Sequence, residues 1–129
     1  MPKSLSHVRH GLGSVRPYLH GPLDLPDFVC KVFGALEIER HQFNPQKVHV
    51  ELQVCDSVVV IEAGELPPEA KSWATAVCVY VPNVDAVYAK ALELGAVSVA
   101  APSDKPYHER SCGFRDGAGN MWWVSTFKQ

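Results

Sequence analysis

The stretch Asp24-Leu25-Pro26-Asp27-Phe28-Val29-Cys30-Lys31-Val32-Phe33-Gly34 has a counterpart later in the chain, Asn83-Val84-Asp85-Ala86-Val87-Tyr88-Ala89-Lys90-Ala91-Leu92-Glu93-Leu94-Gly95. In the first, Leu25, Phe28, Val29, Val32 and Phe33 fall at i, i+3, i+4, i+7 and i+8, the spacing that lines one face of a helix with apolar side chains. Val84, Val87, Tyr88, Ala91 and Leu92 repeat those offsets. Asp24 and Asn83 are residue types that cap helix N-termini, and Gly34 and Gly95 can take the left-handed conformation that ends a helix. Each run follows one β-like segment and precedes several more. The pattern predicts an α+β domain built from tandem β-α-β-β-β units.

Alternation sorts the strands into faces. Val15, Pro17 and Leu19 alternate with Arg16, Tyr18 and His20, and Val48, Val50, Leu52 and Val54 with His49, Glu51, Gln53 and Cys55. Asp56-Ser57 turns the chain into Val58 to Glu62. In the second half Val77, Val79 and Val81 alternate with Ala76, Cys78 and Tyr80. A period of two sends one set under the helices and the other to the opposite face. That opposite face carries Arg16, Tyr18, His20, His49, Glu51, Gln53 and Glu62, either as a solvent-washed surface or as the wall of a cavity. Asp116-Gly117-Ala118-Gly119-Asn120 signals a hairpin between Cys112–Arg115 and Met121–Phe127. Trp122 and Trp123 then point to opposite faces, one into the core and the other towards whatever the second face encloses. Residues 102–110 read as a polar loop.

The chain has 129 residues, 47% of them hydrophobic and 20% charged, which suits one compact domain and excludes a disordered chain. A formal net charge of -2 gives no electrostatic reason to expect nucleic acid or an anionic membrane as partner. No apolar run approaches the roughly 20 residues that span a bilayer. Residues 1–13 lack the hydrophobic core of a signal peptide and read as a loose N-terminal arm. Residues 14–127 form the single domain, with module 1 at about 14–65, module 2 at about 72–127, and a linker from Gly64 to Lys71. Cys30, Cys55, Cys78 and Cys112 contain no C-x-x-C pair. Cys30 and Cys78 sit within apolar patterns, so buried free thiols and a cytoplasmic location are expected.

Ordered along the chain, several segments resemble one family. They are Val15-Arg16-Pro17-Tyr18-Leu19, Phe33-Gly34-Ala35, His49-Val50-Glu51-Leu52, Asp56-Ser57-Val58-Val59, Tyr80-Val81-Pro82-Asn83-Val84-Asp85-Ala86-Val87, Gly113-Phe114-Arg115-Asp116 and Gly119-Asn120-Met121-Trp122-Trp123. Their order and spacing are similar to those of the vicinal oxygen chelate superfamily, which groups glyoxalase I, bleomycin-resistance proteins and dioxygenases. Within it the chain resembles the small PhnB-like branch. The resemblance implies two βαβββ modules forming curved mixed sheets around a cavity that a second subunit completes, hence a homodimer. It also implies that the enzymes of the family hold a divalent metal with four ligands, one on the first and one on the last strand of each module. Carried over, those positions fall on Arg16, Glu62, about Ala76, and Trp123. Only Glu62 could ligate an ion, because arginine is cationic and Ala and Trp offer no usable lone pair. No metal site and no cofactor are therefore expected, although a divalent metal stays open.

Two function classes follow. The favoured one is a binding protein that sequesters a small aromatic or cationic organic ligand between modules, using Arg16, Tyr18, His49, Glu51, Glu62, Cys78, Tyr80, Phe114 and Trp123. The alternative is a lyase, isomerase or dioxygenase-type enzyme. It would use either a different metal site built from His49, Glu51 and Glu62, or metal-free acid/base chemistry by Glu62 with Arg16 stabilising negative charge. For His49, a surface histidine on a polar strand is the more frequent reading. His108, Glu109 and Cys112 read as an ordinary loop rather than a nucleophile with its base, since no orienting third group is identifiable.

Overall fold

The computed structural model describes residues 7–13, 15–65 and 75–128. After a short 3-10 turn at Arg9–Gly11, the first module runs β1 (Tyr18–Gly21), α1 (Leu25–Phe33), β2 (Leu36–Asn44), β3 (Lys47–Val54) and β4 (Ser57–Gly64). The second runs β5 (Ala76–Tyr80), α2 (Val84–Glu93), β6 (Val97–Lys105), β7 (Glu109–Arg115) and β8 (Met121–Phe127). Each module folds into a four-stranded mixed sheet, in the orders β1-β4-β3-β2 and β5-β8-β7-β6. The first strand of each module lies parallel to the last, and the other pairings are antiparallel. The expected pair of βαβββ modules is present. Most of the linker lies outside the described residues, as does the beginning of the arm. Among the described residues no helix is long and apolar enough to cross a membrane.

The helices form for local reasons. Pro26 in the first turn of α1 suits a position whose N–H needs no partner, and Gly34 takes φ 68 as its N–H bonds back to the Cys30 carbonyl. Asp24 makes no capping hydrogen bond with its side chain. Asn83 does cap α2, its Oδ1 accepting from the Ala86 N–H at 3.1 Å. The apolar faces of both helices then enter one core. Phe33 of α1 reaches across to the second module, its ring 5.1 Å from Trp122 and 6.4 Å from Phe114. Leu19, Val50, Leu52 and Ile61 of the first sheet and Phe114, Trp122 and Val124 of the second belong to that single buried cluster. The outer face of each sheet therefore points away from a shared interior, and the two sheets of one chain do not close on a common cavity.

A second fixed point lies at the β7–β8 hairpin. Asp116 is buried and accepts from the Ala118 and Asn120 backbone N–H groups, from the Asn120 amide and from the Trp122 indole N–H at 2.8 Å. Asn120 in turn accepts from the Thr75 N–H at 2.9 Å and donates to the His20 carbonyl, tying the hairpin to β5 and to the first module. Every polar group that Trp122 brings into the core is thereby satisfied.

Three local expectations change. Residues 102–110 are not one loop, because β6 continues to Lys105 and β7 begins at Glu109. Pro102 is accommodated because β6 is an edge strand, where a missing N–H costs no ladder bond. Val15 is exposed at 89% and precedes β1, so the alternation there is shorter than the pattern suggests. Cys78 is exposed rather than buried, since its strand presents residues 76, 78 and 80 outward.

The two adjacent tryptophans differ sharply, at 1% exposure for Trp122 and 43% for Trp123. Trp122→Ala is expected to cost about 3–5 kcal/mol in chemical denaturation, through the cavity left against Phe33. Trp123→Ala should cost under about 1 kcal/mol, as surface changes do. Equal losses for both would contradict the shared core.

Candidate ligand site

On the outer face of the first sheet, pairing sets side chains in rows. His20, Glu62, His49 and His41 lie side by side across β1, β4, β3 and β2, and Tyr18, Val60, Glu51 and Glu39 form the next row. Within these rows acids and bases alternate in an unbroken chain. The Tyr18 hydroxyl donates to Glu62 Oε1 at 2.6 Å, and His49 Nδ1 meets the same oxygen at 2.7 Å. His49 Nε2 lies 2.8 Å from Glu51 Oε2. His10 Nε2 then bridges Glu51 at 3.2 Å and Glu39 at 3.1 Å, and Arg9 closes the far end on Glu39.

Burial and charge set the protonation of this chain. Burial alone would lower the His49 imidazole, but hydrogen bonds to Glu51 and Glu62 outweigh it and hold the pKa above its ordinary 6.5. Burial would raise Glu62, and the bonds from His49 and Tyr18 reverse that and hold it below 4.5. Tyr18, desolvated and facing Glu62, is pushed up to about 12 and stays a donor. One oxygen of Glu62, Oε2, is buried and has no hydrogen-bond partner among the described residues. Glu51 has less freedom, being held at once by Arg16, His10 and His49.

Arg16 is used differently from expectation. Its guanidinium donates to the Leu12 carbonyl at 3.0 Å, to Gly13 at 2.8 Å and to the Arg9 carbonyl, and contacts Glu51 at 3.3 Å. It fastens residues 9–13 to the sheet and faces Glu51 rather than Glu62. The segment read from sequence as part of a loose arm is thus, from Arg9 to Gly13, held against this face.

The outer face of the second sheet is aromatic and lightly polar. Trp123 pairs in register with Cys78 on one side and Gly113 on the other. A β-carbon on Gly113 would come within 2.6 Å of the indole, so the ring lies over the bare backbone of that glycine. Beside it Ser111 and Ser125 share a hydrogen bond at 2.8 Å, and the Tyr80 hydroxyl donates to Glu109 at 2.6 Å. Partial desolvation of the sulfur, then the Glu109 charge, push the Cys78 thiol up, which leaves it protonated and a poor nucleophile. Cys112 is buried and raised to about 11, and His108 lies in the turn before β7.

Of the residues singled out from sequence, the structure brings Tyr18, His49, Glu51 and Glu62 together, with Arg16 at their edge. Cys78, Tyr80 and Trp123 share the second face. Phe114 belongs to neither, being fully buried. It pairs with Trp122, not Trp123, and so points into the core against Phe33. His49 is not a simple surface residue either, since its side chain is 21% exposed and bonded at both nitrogens. Sequence reasoning missed Arg9, His10 and Glu39. Glu39 falls out of simple alternation because the ladder slips between Glu37 and Glu39, and nothing local marks His10. A cavity of about 310 Å³ does open between the modules, but core-side residues such as Phe33, Val77, Val79 and Trp122 line most of it.

The donor set does not suit the divalent ion of the family's enzymes. At the four corresponding positions Arg16 is a guanidinium, Ala76 has no donor, Trp123 lies against Gly113, and Glu62 is engaged by His49 and Tyr18. His10, Glu39 and Glu51 do bring one ligand atom each within 4.8 Å of one another. Their carboxylates, however, already carry the guanidiniums of Arg9 and Arg16, which oppose a further cation.

No family model and no curated protein matches the chain. Solved structures do. TioX from Micromonospora sp. ML1 superposes with a TM-score of 0.72 at 22% identity, over 89% of this chain and 97% of that one. A glyoxalase/bleomycin resistance protein/dioxygenase family enzyme from Burkholderia phytofirmans PsJN gives 0.66 at 20% identity, over 87% and 94%. The chain has the glyoxalase/bleomycin resistance protein/dioxygenase fold. TnmS3, an antibiotic binding protein from Streptomyces sp. CB03234, has it too, with a TM-score of 0.61 at 18% identity over 89% and 97%.

The signs of the two shifts define a pH window. His49, raised in the fold, contributes stability that is complete below 6.5 and is lost as pH rises through its higher folded value. Glu62, lowered in the fold, contributes stability present above 4.5 and lost as pH falls through its lower folded value. The unfolding midpoint should therefore be highest between those limits and fall on both sides. His49→Gln should flatten the alkaline limb in thermal scans, and an unchanged limb would remove His49 from the network.

Proposed function

We propose that the protein binds a small, planar, cationic organic molecule, without a metal, in a cleft formed by the first-module face of one chain and the second-module face of a second copy. The observation that carries this reading is the contrast between the two outer faces. One is a dense set of acids and histidines, and the other is an open aromatic platform with Trp123 at 43%, Tyr80 at 62% and Phe127 at 57% exposure. Exposed aromatics grouped on one sheet mark an interaction site. Neither sheet's outer face is closed by the other sheet of its own chain, and an apposed copy would supply each with what it lacks. The antibiotic-binding neighbour of the same fold supports a sequestering role.

The chemistry favours an aromatic cation. Trp123, braced on Gly113, offers a flat stacking surface, with the Ser111–Ser125 hydroxyls able to meet a polar edge. Across the cleft Glu62 Oε2 has no hydrogen-bond partner among the described residues, whereas Glu51 already meets His10, Arg16 and His49. While residues 9–13 stay seated on Glu39 and Glu51, Glu62 is therefore the acid expected to meet the ligand's charge or N–H donor.

A second reading rests on His49. An imidazole bridging two carboxylates can move a proton between them, which would suit a metal-free acid/base reaction at Glu62. Arg16 has no evident part in it, since its donors are spent on the arm. Turnover of a bound ligand, abolished by Glu62→Gln, would favour this reading over sequestration.

Two measurements test the main proposal. Light scattering at tens of micromolar should give twice the 14.2 kDa chain mass, and a species of single-chain mass would contradict the shared cleft. Proflavine, a planar aromatic cation, should quench tryptophan fluorescence. Trp123→Ala should abolish that quenching and weaken binding by about 1–3 kcal/mol, the scale of base–aromatic stacking. Quenching that survives in the Trp123 variant would move the ligand off this face.

A further inference from the structure

Two apolar side chains on the acid-rich face are dry where an open face would leave them wet. Val58 and Val60 point to the same side as Gln53, Glu51 and Tyr18, their partners in register, yet their exposures are 0% and 5%. At least part of the cover is the chain's own N-terminal segment, because a β-carbon on Gly13 would lie 3.2 Å from Val58. That segment is seated by side chains that meet the carboxylates of this face. Arg9 lies on Glu39, and the His10 imidazole sits between Glu39 and Glu51. Arg16 gathers the Arg9, Leu12 and Gly13 carbonyls from beneath.

We propose that residues 9–13 are a built-in occupant of the first module's half of the ligand site, and that the ligand displacing them carries an amidinium, guanidinium or imidazolium group. The inference rests on the binding reading above and narrows its ligand class. A face that holds a guanidinium and an imidazole on Glu39 and Glu51, above a floor of valine, displays through its own contacts the chemistry it accepts. The occupant is also releasable. It contains one short 3-10 turn, Arg9 is 63% exposed, and His10 takes φ 68, a backbone conformation that a β-carbon disfavours. Contacts, not intrinsic preference, keep it in place. Because it is tethered, it competes at a high effective concentration and sets a threshold that a ligand must exceed.

Benzamidine, an aromatic amidinium, is the probe. Calorimetric titration of the Arg9→Ala/His10→Ala protein should show binding at least about tenfold tighter than for the parent chain. Adding Glu39→Gln should remove that gain. In the parent chain, saturating benzamidine should move the Gly11 and Gly13 amide resonances to the positions they hold in the double variant. Unchanged affinity in the double variant, a gain that survives Glu39→Gln, or glycine resonances that do not move would each overturn the proposal. Proflavine quenching through Trp123 reports on the binding reading separately. Quenching without a benzamidine gain would discard the occupant and leave the cleft standing.

Discussion

The burial of Trp122 against Phe33 is the contact on which the rest depends. Its indole N–H finds Asp116 at 2.8 Å, so the largest fully buried side chain enters the core with no polar debt. Once Trp122 is fixed inward, the pleat of β8 sends Trp123 outward, and the register with β5 and β7 brings Cys78 and Gly113 alongside it. Because Phe33 belongs to the first module, the same contact locks the two modules back to back. The outward direction of both outer faces follows from that one arrangement.

The two faces have diverged in kind while keeping the same scaffold. Both sheets share strand order and pairing sense, yet one displays Glu39, Glu51, Glu62, His10 and His49 and the other Trp123, Tyr80 and hydroxyls. On the acidic face, charge is balanced internally. Glu39, Glu51 and Glu62 are each matched by an imidazole or a guanidinium, which offsets the cost of partly burying a carboxylate. The position to which the family resemblance assigns a first-strand metal ligand is taken by Arg16, whose guanidinium gathers backbone carbonyls.

Much of this was legible in the sequence because it is encoded locally. Helix α1 matched its expected span, since apolar spacing and Gly34 both lie within it, and strand parity separated Trp122 from Trp123. Phe114 was misassigned because its side depends on register across a hairpin, where it meets Trp122. The strand content of 102–110 was hidden by Pro102, which only an edge position tolerates. The anchoring of the arm was invisible for a different reason. His10 finds Glu39 and Glu51 through contacts that close only after three strands have been laid down, and no local pattern records a partner that distant.

The parallel pairing of β1 with β4 also orders events in time. Strands β2, β3 and β4 are linked by tight turns and can zip as successive hairpins, with short loops to close. Strand β1 has no such neighbour. It must wait until β4 exists, because its register runs from Tyr18 against Val60 to Gly21 against Ala63. Strand β1 therefore joins its sheet only after strands that come later in the chain, and residues 9–13 can dock only once Glu39 and Glu51 have been brought together. On a ribosome, the acidic face would be assembled before the peptide that comes to rest upon it.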